Sequence, residues 1–153
     1  MSLVSELSDK RLKYKTIHRE GILDRFCGVQ GSQQVIDRKY FSQLWEGYTW
    51  AAIIGFINDK RIPLGASGKG DAFKFSVINN NGGELADALI LLALSKSEIG
   101  YKCLINPDEV INVIEEYANG GFEIIQSKIR DDESYFNNPD IYINELLERI
   151  DPD

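Results

Sequence analysis

The clearest pattern in the chain is an apolar stripe. Ile111, Ile114, Ala118, Phe122, Ile125 and Ile129 recur at spacings of three or four residues, the repeat of one helix face. The stripe keeps its phase through Asn119, Gly120 and Gly121. Three such poor helix formers cost a helix about 2 kcal/mol relative to alanine. The periodicity therefore predicts one continuous helix, with close packing that compensates for the glycines. Its start is marked as well: Asn106 can cap, Pro107 suits the first helical position, and Glu109 stands three residues after the cap.

Two segments, "WAAIIGFI" at 50–57 and "LADALILLALS" at 85–95, are apolar on most sides and predict buried helices. Thr49 is a candidate N-cap for the first, with Gly47 and the aromatics before it marking a turn or a short earlier helix. Residues 4–27 read as helical, with Gly21 a candidate break. Residues 27–34, 64–71 and 79–83 read as loops, and "AFKFSVI" at 72–78 alternates weakly enough to be a short strand or an extended segment. A last helix opens at Asn138-Pro139-Asp140 and carries Ile143, Leu146, Leu147 and Ile150 on one face. The expected fold is mainly α: a compact orthogonal helical domain of about five to seven helices, with at most a short extended segment near 72–78. A chain of 153 residues suits one domain, with a core over about 35–150 and residues 1–34 as an N-terminal helical extension.

Charge changes the picture by its distribution. The net charge is −7, but residues 1–105 hold 14 basic against 11 acidic residues, while residues 106–153 hold 3 against 13. The acidic half argues against nucleic-acid binding over its own surface and suits docking on a basic partner. No apolar run reaches the roughly 20 residues that span a bilayer, and "MSLVSELSDKRLKYK" lacks the apolar core of a signal peptide. A cytoplasmic protein with no membrane partner is expected. Cys27 and Cys103 have no metal-type spacing and read as buried, reduced thiols.

Candidate chemistry is sparse. "GASGKGD" at 65–71 resembles a phosphate loop only in part: Gly70 follows Lys69 where serine or threonine belongs, and Pro63 replaces the first glycine. A surface loop is the simpler reading. His18 is the one histidine and lies among Lys13, Lys15 and Arg19, so it reads as solvated. The carboxylates Glu115, Glu116, Glu123, Asp131, Asp132 and Glu133 occupy the polar side of the long helix, as a solvated face does. No catalytic set, metal site or cofactor site is expected. In the basic stretch 9–20, Lys10, Arg11, Lys13 and Lys15 can contact nucleic-acid phosphates or pair with the acidic half of the same chain.

Two segments carry a resemblance. "WAAIIGFINDKRIPL" (50–64) is similar to a motif of a small-residue apolar helix ending in Gly-Phe, then a polar spacer, Lys/Arg-Arg and Pro-Leu. "EEYANGGFEII" (115–125) is similar to Glu-Tyr-Ala-Asn-Gly-Gly-Leu-Glu-Ile-Leu, with Phe122 in place of the leucine. Both motifs occur, in this order, in small proteins associated with bacterial DNA-phosphorothioation (Dnd) systems. The resemblance implies a non-enzymatic accessory protein of a defence or DNA-modification system, with a protein partner from the same operon. Lys60, Arg61 and Asn119 are then expected to line a surface that meets the partner. The residues themselves suggest a tight crossing of the two motifs, with Gly120 or Gly121 against Gly55. One glycine of the pair is expected at the contact, and the other is expected to accept alanine.

Overall fold

The computed structural model describes residues 3–27, 41–65, 69–137 and 139–150. Its elements are α1 (Leu3–Ser8), β1 (Arg11–Lys15), α2 (Thr16–His18), a π-turn (Arg19–Leu23), α3 (Asp24–Phe26), α4 (Leu44–Ile57) and β2 (Lys69–Lys74). Then follow α5 (Phe75–Asn81), α6 (Gly83–Lys96), a 3-10 segment (Gly100–Ile105), α7 (Pro107–Asp131), a second 3-10 turn (Tyr135–Asn137) and α8 (Pro139–Ile150). The fold is mainly α, and α2, the π-turn and α3 run on from one another as one bent helix.

The long stripe does form one helix. α7 runs 25 residues without interruption through Asn119-Gly120-Gly121, and the Asn106 side chain accepts a hydrogen bond from the Glu109 amide at its start. Val110, Val113, Ile114, Phe122 and Ile125 are buried in the core beside Leu89 and Ala93 of α6 and Ala51, Ala52 and Ile54 of α4.

α4 crosses α7 at the glycines, and the approach is backbone on backbone. A β-carbon on Gly55 would overlap the Tyr117 carbonyl and stand 3.1 Å from the Gly121 nitrogen. One on Gly121 would overlap the Ala51 carbonyl and stand 3.0 Å from the Gly55 nitrogen. Gly120 is equally constrained, because a β-carbon there would overlap the carbonyl of Lys60 just beyond α4. The expectation that one glycine of the pair would accept alanine is therefore wrong. Successive residues of α7 point about 100° apart, and the chain leaving α4 wraps far enough to meet both.

Other expectations need correction. Thr49 does not cap α4; the helix already runs from Leu44, and the Thr49 hydroxyl donates to the Trp45 carbonyl at 2.9 Å inside it. Gly47 also lies inside α4, with the Cys27 sulfur and Leu23 filling the space beside it. Residues 11–15, read as helix, form β1, antiparallel to β2 with Arg11 opposite Lys74 and Leu12 opposite Phe73. The extended segment thus lies at 69–74, and "FSVINNN" continues as α5. Residues 3–27 are no appendage, since Leu7, Leu12, Ile22 and Leu23 share the buried cluster with α4 and α7. α6 is buried along one side only, through Ala86, Leu89, Ile90 and Ala93, and Leu91 is exposed. The loop reading of 27–34 falls, beyond Cys27, outside the described residues, as does 66–68. Cys27 and Cys103 are buried and are not joined in a disulfide.

Overpacking a backbone contact costs about 1–3 kcal/mol or more. Gly55→Ala, Gly120→Ala and Gly121→Ala are each expected to lower stability by about 2 kcal/mol or more in urea unfolding. Gly83→Ala is the control: nothing lies within 4 Å of its β-carbon position, so it should be neutral or mildly stabilising.

Candidate functional site

The two motif segments clasp each other. Beyond α4, Asp59 takes a left-handed turn at φ 49°, and the Lys60 amide donates to the Gly55 carbonyl at 2.9 Å. The chain then crosses α7. The Ile62 amide donates to the Glu116 carbonyl at 3.1 Å, and Arg61 Nε donates to Glu116 Oε1 at 2.7 Å, with its guanidinium 5.9 Å from the Tyr117 ring centre. Asn119 Nδ2 donates to the carbonyls of Ile62 at 3.1 Å and Pro63 at 3.4 Å. Phe56 stacks on Tyr117 at 4.2 Å, and the Tyr117 hydroxyl donates to Asp59 Oδ1 at 3.1 Å.

This geometry corrects the partner surface expected from Lys60, Arg61 and Asn119. The three do come to one corner, but Asn119 is only 3% exposed and faces inward, and Arg61 is held by Glu116. Only the Lys60 side chain stands in solvent. Asn119 turns inward because the two carbonyls leaving α4 need a donor at that point.

His18 is the second correction. It is 1% exposed, packed against Phe122 with ring centres 4.8 Å apart and planes 18° apart, and its Nε2 lies 2.8 Å from Asn119 Oδ1. The Asn119 amide nitrogen is committed to two carbonyls, so its oxygen faces the imidazole. Nε2 must then carry the proton, which leaves Nδ1 bare. Nδ1 is buried and has no hydrogen-bond partner. Burial is the main cause that lowers the His18 pKa below 6.5; Lys15 adds to it, while the Asn119 hydrogen bond and the Glu123 carboxylate, 3.9 Å away, oppose it. No spacing rule in the sequence signals this burial, because Asn119 lies 101 positions away. The pair closes the interior and faces no nucleophile among the described hydrogen bonds. No group of three His, Cys, Asp or Glu residues suited to a metal ion occurs among the described residues.

The basic stretch divides. Lys10 pairs with Asp108 of α7 at 2.7 Å, and the Lys13 amide donates to Glu115 Oε1 at 3.3 Å. The strand turns Leu12 and Tyr14 inward and leaves the Arg11 and Lys13 side chains exposed, with Lys15 half-buried. Lys74, opposite Arg11, lies 3.7 Å from Asp9.

A concave apolar surface lies elsewhere, on the side of α4 away from Ala51 and Gly55. Trp50, Ile53, Ile54 and Ile57 form one wall of a groove of about 420 Å³. Tyr142, Ile143 and Leu146 of α8 form the other, with Phe41 and Phe136 between them. Phe136 meets Trp50 edge-on at 5.2 Å, and Phe41 lies 5.3 Å from Trp50. Ile57 and Ile143 are 50% and 53% exposed at the mouth, and Leu147, one helical turn beyond Ile143, is 56% exposed. The expected apolar face of α8 contained this signal, but the sequence could not show that α4 leaves it open.

A family model described as DNA sulphur modification system-associated protein 4 matches residues 33–148. The chain belongs to this family. The match takes in both motif segments and every residue that lines the groove. Neither a curated protein nor a solved structure gives a significant match. Among the described residues, no helix is long and apolar enough to cross a membrane.

The buried imidazole sets a pH dependence. The unfolded chain takes up its His18 proton near pH 6.5, while the folded chain does so only at lower pH. Stability contributed by the neutral imidazole is therefore present above about pH 6.5 and is lost as pH falls through the window below it. Urea midpoints measured from about pH 7 to pH 5 should fall more steeply for the native protein than for His18→Gln. Equal slopes would remove this account. Asn119→Leu, which strips partners from His18 and two carbonyls, should cost about 2–4 kcal/mol at neutral pH.

Proposed function

We propose that this protein is a non-enzymatic, cytoplasmic accessory component of a DNA sulphur modification (phosphorothioation-linked) defence system, and that it acts by binding a protein partner. The observation that carries this reading is the groove between α4 and α8. Its walls expose Ile57 and Ile143 at the mouth and hold four aromatic residues within, among them Trp50 and Tyr142, of the types that dominate binding hot spots. The family membership supports the setting, and the inward-facing polar groups of His18 and Asn119 support a structural rather than a chemical role for the motif corner.

The test is recovery of the tagged chain from its native host with the modification gene cluster intact. Products of that cluster should co-purify with the native protein. The double variant Ile143→Ser/Leu147→Ser should lower their yield by about tenfold or more with an unchanged melting temperature. Native protein that recovers no product of the cluster would count against the reading, as would a variant that recovers them equally.

A second reading, nucleic-acid binding, is favoured by one observation: β1 places Arg11 and Lys13 together on its outer face. It expects binding to duplex or single-stranded DNA that weakens steeply with salt and disappears in Arg11→Glu/Lys13→Glu/Lys15→Glu. Undetectable binding at low salt would exclude it.

A further inference from the structure

His18 is the one side chain that fastens residues 15–21 to the core. Tyr14 and Ile22 on either side are buried, but within the stretch Lys15 and Arg19 are half-buried and Thr16, Ile17, Glu20 and Gly21 are exposed. Even the apolar Ile17 is 63% exposed. We propose that this stretch is an acid-released latch. On taking a proton from solvent, the His18 ring leaves Phe122 and meets the Glu123 carboxylate, and residues 15–21 lift off α7.

The site of the ring suits only the neutral imidazole. Nε2 already donates to Asn119 Oδ1 at 2.8 Å, and the Asn119 amide cannot turn over without abandoning the Ile62 and Pro63 carbonyls. An added proton goes to Nδ1, which is buried and has no partner. The charged ring in place would therefore combine an unpaired N–H with a charge held against the Phe122 face, away from water.

A better place for the charge lies close by. Glu123 Oε1 is 3.9 Å from Nε2, and its side chain is 40% exposed. That distance is too long for a hydrogen bond, so the ring must move to reach the carboxylate. Lys15 of β1 acts in the opposite sense and disfavours the charge where the ring now sits. β2 sets Lys69 opposite Lys15 in register, with Asp71 two positions on. Arg19, next in the chain, is held by the Tyr14 hydroxyl at 3.2 Å and by Asp24 at 3.3 Å.

The release is local because the flanks stay anchored. Leu12 and Tyr14 before the stretch, and Ile22 and Leu23 after it, belong to the buried cluster. The backbone on the far side of His18 is the π-turn Arg19–Leu23, a rare geometry that is concentrated at functional sites. Lifting residues 15–21 uncovers Asn119 and Phe122 of α7 and leaves Asn119 bound only to the carbonyls that follow α4. Acid thus exposes part of the Asn-Gly-Gly-Phe segment without unfolding the helix that carries it.

Nuclear magnetic resonance from about pH 7.5 to pH 5 tests this, because the imidazole is the side chain that titrates in that range. The His18 ring should titrate below pH 6.5. Overhauser contacts between the His18 and Phe122 rings should disappear with the same midpoint. Amide shifts should move at residues 15–21, Asn119 and Ile62 while those of α4 and α6 stay in place. His18→Gln should show no such transition. Glu123→Gln, a change at a partly exposed position, should lower the midpoint by about half a pH unit. A ring that titrates with its Phe122 contacts intact overturns the proposal. So does a midpoint that Glu123→Gln leaves unmoved, a ring that stays neutral to pH 5, or loss of the contacts only as α4 and α6 unfold.

Discussion

Peptide backbone meets peptide backbone where α4 crosses α7, and the rest of the molecule is arranged around that contact. Gly55 and Gly121 face each other with the Tyr117 and Ala51 carbonyls in the positions that β-carbons would need. Helices that approach this closely gain dispersion contacts along their whole crossing and exclude water from it. The crossing also dictates where the chain goes next. Lys60 must pass over Gly120, so the carbonyls of Ile62 and Pro63 arrive above Asn119. Asn119 answers them with its amide and turns its oxygen toward His18. The imidazole then covers Phe122, which ties the N-terminal bent helix to the centre of α7.

Polar groups inside such a core must find partners or destabilise it. Thr49, Asn119 and His18 are the buried polar residues among those described, and each makes a hydrogen bond. His18 Nδ1 is the exception, and its burial is what holds the ring neutral. The ion pairs contribute differently. Arg61 with Glu116 is largely shielded and fixes the motif corner, whereas Lys10 with Asp108 and Lys96 with Asp59 lie at the surface, where such pairs are worth little. Part of the charge asymmetry between the two halves of the chain is satisfied internally.

α4 serves two surfaces. Its Ala51, Gly55 and neighbouring small residues give the close crossing, while Trp50, Ile53 and Ile57 look toward α8. The motif residues of α4 therefore divide: the small ones build the interior, and Trp50, Ile53 and Ile57 line the groove. The apolar surface left over lies on the same helix and within the same family match, on the side away from Ala51 and Gly55. This separation explains why the glycines, prominent in the sequence, indicate architecture and not chemistry.

The sequence alone determined the elements whose evidence is local. The unbroken stripe from Ile111 to Ile129 and the Asn106-Pro107 start specify α7, because a helix face is a short-range repeat. Small residues at 51–55 and 120–121 specify the crossing, because nothing larger fits between touching backbones. The start of α8 at Asn138-Pro139 is legible for the same reason as that of α7. Tertiary structure decided what depends on distant partners. Residues 11–15 carry helix-compatible charges and become a strand only because residues 69–74 lie alongside them. Gly47 and Thr49 remain helical because Cys27, Leu23 and the Trp45 carbonyl occupy the space around them. His18 looks solvated among lysines and is buried because Asn119 and Phe122 come to meet it. The groove exists only where α8 stands off from α4, and a spacing between two helices far apart in the chain has no counterpart in the local pattern of residues.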